Sequence, residues 1–262
     1  MVQQLRDFEA HQRRLRNFLR GHGYEVVRVS NGMGAESLLG LHLAKLFDRL
    51  GISFVLDVGA RVGEYGSWLR HNGFRGDIVS FEPVAANFEA LHRRAEGDPR
   101  WAVHHLALGS SEGLSEINVT RQTHFSSFLA PNAYSLSEFG EGASVERREA
   151  VPVARLDAVL DEIVPATGDG RVFLKMDTQG WDLEVLEGAK GCIDRLVALQ
   201  SEVSVRPLYD GMPHFSEVVA RLEDLGFLLS GLFPVNLDSQ MAVVEFDCVA
   251  LRQQAVAGAT PG

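Results

Sequence analysis

Cysteine is nearly missing from this chain. Cys192 and Cys248 stand far apart, and neither has a CxxC partner nor histidines at zinc-binding spacing. A disulfide scaffold and a structural zinc site are therefore excluded, and two buried thiols in a reducing compartment are expected. The N-terminus, MVQQLRDFEAHQ, has no apolar core of the kind that marks a secretory signal. No apolar run approaches the ~20 residues needed to cross a bilayer. Positive charge is also in deficit, since the formal net charge is −10. That disfavours a nucleic-acid partner, which needs a basic face for phosphates, and equally an anionic membrane surface. The one basic run, HQRRLRNFLR, reads as the solvated side of an amphipathic helix. A soluble cytoplasmic protein is expected.

The chain's 262 residues are 45% hydrophobic and 23% charged, enough for one substantial α/β domain. Apolar residues at helical spacing run from Val2 to Leu19. YEVVRVS reads as a short strand, and AESLLGLHLAKLFDRLG as a further helix. Residues 1–50 are read as an N-terminal helical cap, residues 51–252 as the main domain, and residues 253–262 as a flexible tail. From Ser53 the pattern becomes an alternation of strands and helices. The strands are SFVLDVG, DIVSFEP, WAVHHLAL, RVFLKMD and VALQSEVSV, and the helices are EYGSWLRHNG, VAANFEALHRRAEG, WDLEVLEGAKGCIDRL and FSEVVARLEDLG. Such alternation implies βαβ units and a doubly wound parallel sheet. FLLSGLFPV and MAVVEFDCVALR, joined by NLDSQ, form a closing hairpin that makes the last strand antiparallel. The alternation lapses between Gly109 and Ala150, a stretch read as a binding loop or lid.

In an open parallel sheet the ligand lies beyond the carboxyl ends of the strands, beginning with the first βα turn. That turn reads DVGARVG, with Gly59 and Gly63 but without the G-x-G-x-x-G spacing that cradles pyrophosphate. Asp57 lies inside the turn in this reading. Its carboxylate would repel a diphosphate and accept hydrogen bonds from an amino-acid moiety, as in S-adenosylmethionine. Glu82 ends the second strand, where a ribose-binding carboxylate belongs.

FVLDVGARVGEY, VSFEPVAANFEAL, HLALGSSEG, SSFL, VPVARLDAVLDE, VFLKMDTQGWDLEVLEGA and LQSEVSVRPLYDGMP run in order from about Ser53 to Leu251. In this set the chain resembles the FkbM-type S-adenosylmethionine-dependent methyltransferases. The resemblance implies the class I, Rossmann-like methyltransferase fold, a seven-stranded sheet with its last strand antiparallel. It also implies methylation of hydroxyl groups on sugars, glycolipids or polyketide-type products. By the same resemblance Asp57, Gly59, Ala60, Arg61 and Gly63 form the loop near the methionine part of the cofactor. Glu82 binds the ribose, Pro83 and Asn87 lie beside the adenosine, and Ala107 and Leu108 flank the adenine. The chain departs from the family pattern at Arg61, where asparagine is common, and at Gln179 and Asp182, where glutamates are frequent. No metal role is carried over to those positions.

An alcohol acceptor must lose a proton, so a base or a metal is expected beside it. Asp177 and Glu202 lie at or near the carboxyl ends of their strands, and Asp177 is counted with the cofactor contacts as well. Helix capping is the competing role for Asp177. Lys175 shares a strand face with Asp177 and is read as its partner rather than a catalyst. His124 is a third candidate base. Ser126, Ser127, Gln179, Trp181 and Tyr209 are expected to line the substrate pocket. The requirement for a divalent metal is left open, as is dimerisation through the N-terminal helices. The expected function is O-methyl transfer to a small hydroxylated molecule, a glycoside or secondary metabolite. A nicotinamide-dependent oxidoreductase and a non-catalytic cofactor-binding homologue are the alternatives.

Overall fold

The computed structural model describes residues 18, 19, 22, 35–164 and 171–253. The helix and strand expected before residue 35, and the tail after residue 253, lie outside the described residues. Helix α1 (Ala35–Leu50) leads into β1 (Ile52–Val58), α2 (Glu64–His71), β2 (Asp77–Phe81), α3 (Ala85–Ala95) and β3 (Trp101–His104). Next come β4 (Ala107–Leu108), β5 (Gly113–Thr120), α4 (Ala133–Phe139), β6 (Val145–Ala154) and α5 (Leu156–Ile163). The chain closes with β7 (Arg171–Met176), α6 (Asp182–Gly188), β8 (Leu196–Ser204), α7 (Phe215–Asp224), β9 (Phe227–Leu237) and β10 (Val243–Arg252).

Seven strands form one sheet in the order β3-β2-β1-β7-β8-β10-β9. β10 runs antiparallel to both β8 and β9, as the closing hairpin requires. The central strands read as apolar runs because helices cover both of their faces. Leu56, Val58, Leu174 and Met176 pack toward α5, α6 and α7. Val55 and Phe173 pack on the other face with Leu39, Leu43 and Phe47 of α1. α1 thus packs as a layer against the main sheet. Its apolar residues recur at helical spacing and meet the sheet directly.

Two expectations need correction. WAVHHLAL is not one strand. It pairs with β2 only as far as His104, and Ala107–Leu108 then pairs in parallel with Val153–Ala154 of β6. Nor is the stretch from Gly109 to Ala150 an irregular lid: β5 and β6 frame it, pair antiparallel and, with β4, build a second, three-stranded sheet. This pair is largely exposed, so the hydrophobic alternation that marks a strand is muted. Along β5 only the last four residues are buried, with Ile117 and Val119 in a small core with Val84 and Val151.

Candidate active site

The strand order reverses between β1 and β7, and a cleft of about 640 Å³ opens there along the carboxyl ends of the strands. The volume is usual for a small-molecule site. The second sheet and the turn that follows it, through Gln122, His124, Phe125 and Phe128, form the wall opposite the main sheet. The stretch read as a lid is therefore a built wall of the site.

At one end lies the βα turn. Gly59 has φ +76°, and a Cβ there would run into the backbone carbonyl of Asp177. A bare backbone is what lets β1 and β7 meet so closely. Gly59, Ala60 and Arg61 line the cleft. Gly63 does not: it faces Leu91, Arg94 and Trp101 and sets how α2 packs. Arg61 holds φ +50°, and its guanidinium pairs with Glu64 at 3.1 Å. Glu82 is buried at the end of β2. Its Oε2 accepts from the Arg61 amide at 2.7 Å, and its Oε1 from the Val84 amide at 3.0 Å and Asn87 Nδ2 at 3.2 Å. Burial outweighs these donors and raises the carboxyl from 4.5 to about 7. Pro83, Asn87, Ala107 and Leu108 also line this end. Beside them Trp181, with its ring 5.0 Å from Phe128, carries a buried indole N–H that has no partner among the described residues.

Asp57 is placed differently from expectation. It belongs to β1 rather than the turn, is 0% exposed and does not line the cleft. Its neighbours in sheet register are Ser80 and Lys175. Ser80 Oγ donates to its Oδ2 at 3.1 Å, and Lys175 Nζ lies 3.2 Å from its Oδ1. The carboxylate is spent on the interior of the sheet, so it reaches the cleft only through Lys175.

At the other end four acids converge: Asp177 after β7, Glu202 on β8, and Glu245 and Asp247 on β10. Asp177 does not cap the next helix; Trp181 is the N-cap residue, without a side-chain cap bond. Its Oδ2 lies 3.5 Å from Lys175 Nζ, and its Oδ1 accepts from Gln179 Nε2 at 2.9 Å. The same nitrogen donates to Glu202 Oε2 at 2.8 Å. Burial, then the charges of Glu245 and Asp177, hold the Glu202 carboxyl well above its usual range. Burial likewise raises Glu245 to about 7 and Asp247 to about 6. Asp182 accepts from the Thr178 amide at 3.1 Å and Ser201 Oγ at 2.5 Å, which pins the loop after β7. Among the described residues no group of three or more His, Cys, Asp and Glu side chains is arranged to hold a metal ion.

His124 lines the cleft wall, and burial, with the charge of Arg61, lowers its pKa. Ser126, Gln179 and Trp181 line the cleft. Ser127 and Tyr209 do not. Both are 1% exposed and lie behind Gln179, with Ser127 Oγ donating to its carbonyl at 2.7 Å and Tyr209 Oη 2.8 Å from its Oε1. Sequence reasoning missed Gln200, Asn236, Glu245 and Asp247. For Glu245 and Asp247 on β10, and for Gln200 on β8, polar residues alternating with apolar ones were the available signal, since a strand in mid-sheet has no solvent face to put them on.

A reversed last strand, a glycine turn against β7 and an acid-lined cleft at the switch point define the class I methyltransferase architecture. The chain belongs to the methyltransferase FkbM domain family, whose model matches residues 57–229. Similar solved structures include a putative O-methyltransferase from Klebsiella pneumoniae, 10% identical, covering 91% of this chain and 88% of that one at a TM-score of 0.45. Magnesium protoporphyrin IX methyltransferase (ChlM) from Synechocystis PCC 6803, solved with bound SAM, is 11% identical, with 91% and 95% covered and a TM-score of 0.43. The O-methyltransferase NcsB1 of neocarzinostatin biosynthesis, in complex with S-adenosyl-L-homocysteine and 1,4-dihydroxy-2-naphthoic acid, is 13% identical, with 82% and 56% covered and a TM-score of 0.40. No curated protein matches the chain. No helix among the described residues is long and apolar enough to cross a membrane. Family membership sets aside the nicotinamide-dependent reading.

Proposed function

We propose that the protein is an S-adenosylmethionine-dependent O-methyltransferase acting on a hydroxyl group of a small molecule, a sugar, glycoside or secondary metabolite. One observation carries this reading: Glu82 and the Asp177–Glu202 pair share a single cleft, one at the end of β2, the other at the ends of β7 and β8. The residues at the first end fit the cofactor. Gly59 and Ala60 line it beside a methionine moiety, the buried Glu82 carboxylate suits two ribose hydroxyls, and Ala107, Leu108 and the unpartnered Trp181 N–H suit a purine. When bound, S-adenosylmethionine supplies a methyl group on a sulfonium sulfur.

Asp177 then faces the acceptor end, and its carboxylate would take the proton of the acceptor hydroxyl as that oxygen receives the methyl group and the bond from sulfur to methyl breaks. Lys175 holds it from behind at 3.5 Å. The walls formed by Phe125, Phe128 and Trp181 keep water from the reacting atoms. An end lined by four carboxyls suits a neutral or cationic acceptor better than a polyanion such as nucleic acid. Calorimetry with S-adenosylhomocysteine tests the reading, and micromolar binding is expected. Absence of binding at high micromolar concentration defeats it. Binding without methylation of any hydroxylated acceptor would favour a non-catalytic role.

A further inference from the structure

A single amide holds the acceptor end together. Gln179 Nε2 donates to Asp177 at 2.9 Å and to Glu202 at 2.8 Å. The rest of the residue is fixed from behind: Tyr209 Oη meets Oε1 at 2.8 Å, and Ser127 Oγ donates to the backbone carbonyl at 2.7 Å. Tyr209 Oη also lies 3.0 Å from the Phe125 carbonyl, so one hydroxyl ties the cleft wall to the loop after β7. The backbone of Gln179 has φ +54°, in the left-handed region that side-chain-bearing residues rarely adopt. A strained residue at a cleft, over-determined by its neighbours, is a signature of function.

Charges on every adjoining element explain what the amide does. Lys175 on β7 serves Asp177, while Glu245 and Asp247 on β10 and Asp182 on α6 all face Glu202 with like charge. Among the described residues Glu202 has no hydrogen-bond donor but Gln179. Two carboxylates at this separation repel unless something between them donates to both. A divalent cation would do so by neutralising them. An amide does so through two N–H bonds without adding a positive charge.

Resting on the reading above, we propose that Gln179 is a positioning residue whose amide occupies the place of a cation between Asp177 and Glu202, holding the pair aligned for the acceptor hydroxyl with no metal in that position.

The test needs no acceptor. Protonation of the buried carboxyls is followed by the infrared carboxyl band across pH, assigned by its loss in Glu202→Gln. Mn²⁺ binding is followed by electron paramagnetic resonance. Gln179→Leu removes a donor that favours the ionised forms, so the midpoint is expected to rise by one pH unit or more, about tenfold in proton affinity. Tyr209→Phe loosens the amide and is expected to move the midpoint the same way by less. Wild-type protein is expected to leave Mn²⁺ free, and Gln179→Glu to bind it. An unmoved midpoint in Gln179→Leu overturns the proposal. So does Mn²⁺ bound by the wild type and lost in Asp177→Asn. Should Gln179→Leu not fold, an unmoved midpoint in Tyr209→Phe overturns it instead. S-adenosylhomocysteine titrated into the same wild-type samples separates the two readings, since its failure to bind defeats the methyltransferase assignment and leaves the carboxyl titration standing.

Discussion

Lys175 Nζ lies 3.2 Å from Asp57 Oδ1, with both side chains buried side by side in the central sheet. Asp57 is held in turn by Ser80, which accepts from the Trp101 indole at 3.0 Å. This row runs through the sheet interior and delivers one cation to the cleft, where it meets Asp177. Burial, and the absence of other cations beside it among the described residues, make Asp57 dependent on Lys175. Removing one member of such a pair leaves an uncompensated buried charge, whereas replacing both need not. Lys175→Met is expected to lower stability by about 3–5 kcal/mol, and the double variant Asp57→Leu with Lys175→Met to recover a large part of it. Urea unfolding measures both, and equal losses in the single and double variants would refute the pairing.

Glu82 links pH to both stability and cofactor binding. Its carboxyl is raised from 4.5 to about 7 in the folded state. The folded chain therefore holds this proton more tightly than the unfolded chain does. The stabilisation is complete below about pH 4.5 and is lost as pH rises through about 7; it amounts to about 3 kcal/mol. Glu82→Gln is expected to flatten that part of the stability profile, read from urea midpoints between pH 5 and pH 8. In the proposed function the ionised form accepts from the ribose hydroxyls, so S-adenosylhomocysteine affinity should rise over the same interval and release a proton on binding. Calorimetry in buffers of different ionisation enthalpy detects that proton. An affinity independent of pH in the wild type would remove Glu82 from the ribose.

Much of this was legible in the chain itself, and the reasons are physical. A parallel strand buried on both faces must be an apolar run, so β1 and β7 announce themselves, and a turn that forces glycine announces Gly59. Glu82 was legible because a polar residue ending an apolar strand at the carboxyl edge of the sheet has few other uses. Asp57 was legible as important but misplaced in the turn, because strand alternation alone does not say that its partner is Lys175 on the next strand. β5 and β6 were hidden by their exposure. Tyr209 and Ser127 were identified as substrate contacts, yet they act behind Gln179. Their roles depend on contacts between segments some 50 to 80 residues apart, 127 with 179 and 209 with 125, which no local pattern encodes.

Gly59 offers a sharp backbone test. At φ +76° an alanine is strained, and its Cβ would collide with the Asp177 carbonyl at the point where β1 and β7 converge. Backbone there has no rotamer with which to retreat. Gly59→Ala is expected to cost more than about 2 kcal/mol of stability and to abolish S-adenosylhomocysteine binding. Gly97 is the control. It has φ +88° with nothing near its missing Cβ, so Gly97→Ala carries strain without collision and should keep cofactor binding.

Asp177 and His124 both face the acceptor end, and their substitution separates the candidate bases. Asp177 is fixed by Lys175 and Gln179 within the sheet's own scaffold, whereas His124 is exposed on the turn after β5, with its ring 4.1 Å from that of its neighbour Phe125. A base must be held within hydrogen-bond reach of its proton, which favours the rigidly mounted group. With an acceptor in hand, Asp177→Asn is expected to lower turnover by about 10²–10⁴-fold while S-adenosylhomocysteine affinity stays at the wild-type value. His124→Gln is expected to act on acceptor affinity instead. Were His124 the base, its lowered pKa would put an acid limb below neutrality in the rate profile, and His124→Gln would erase that limb. Single-turnover rates measured across pH for the two variants assign the base. A full rate in Asp177→Asn would transfer the role to the histidine.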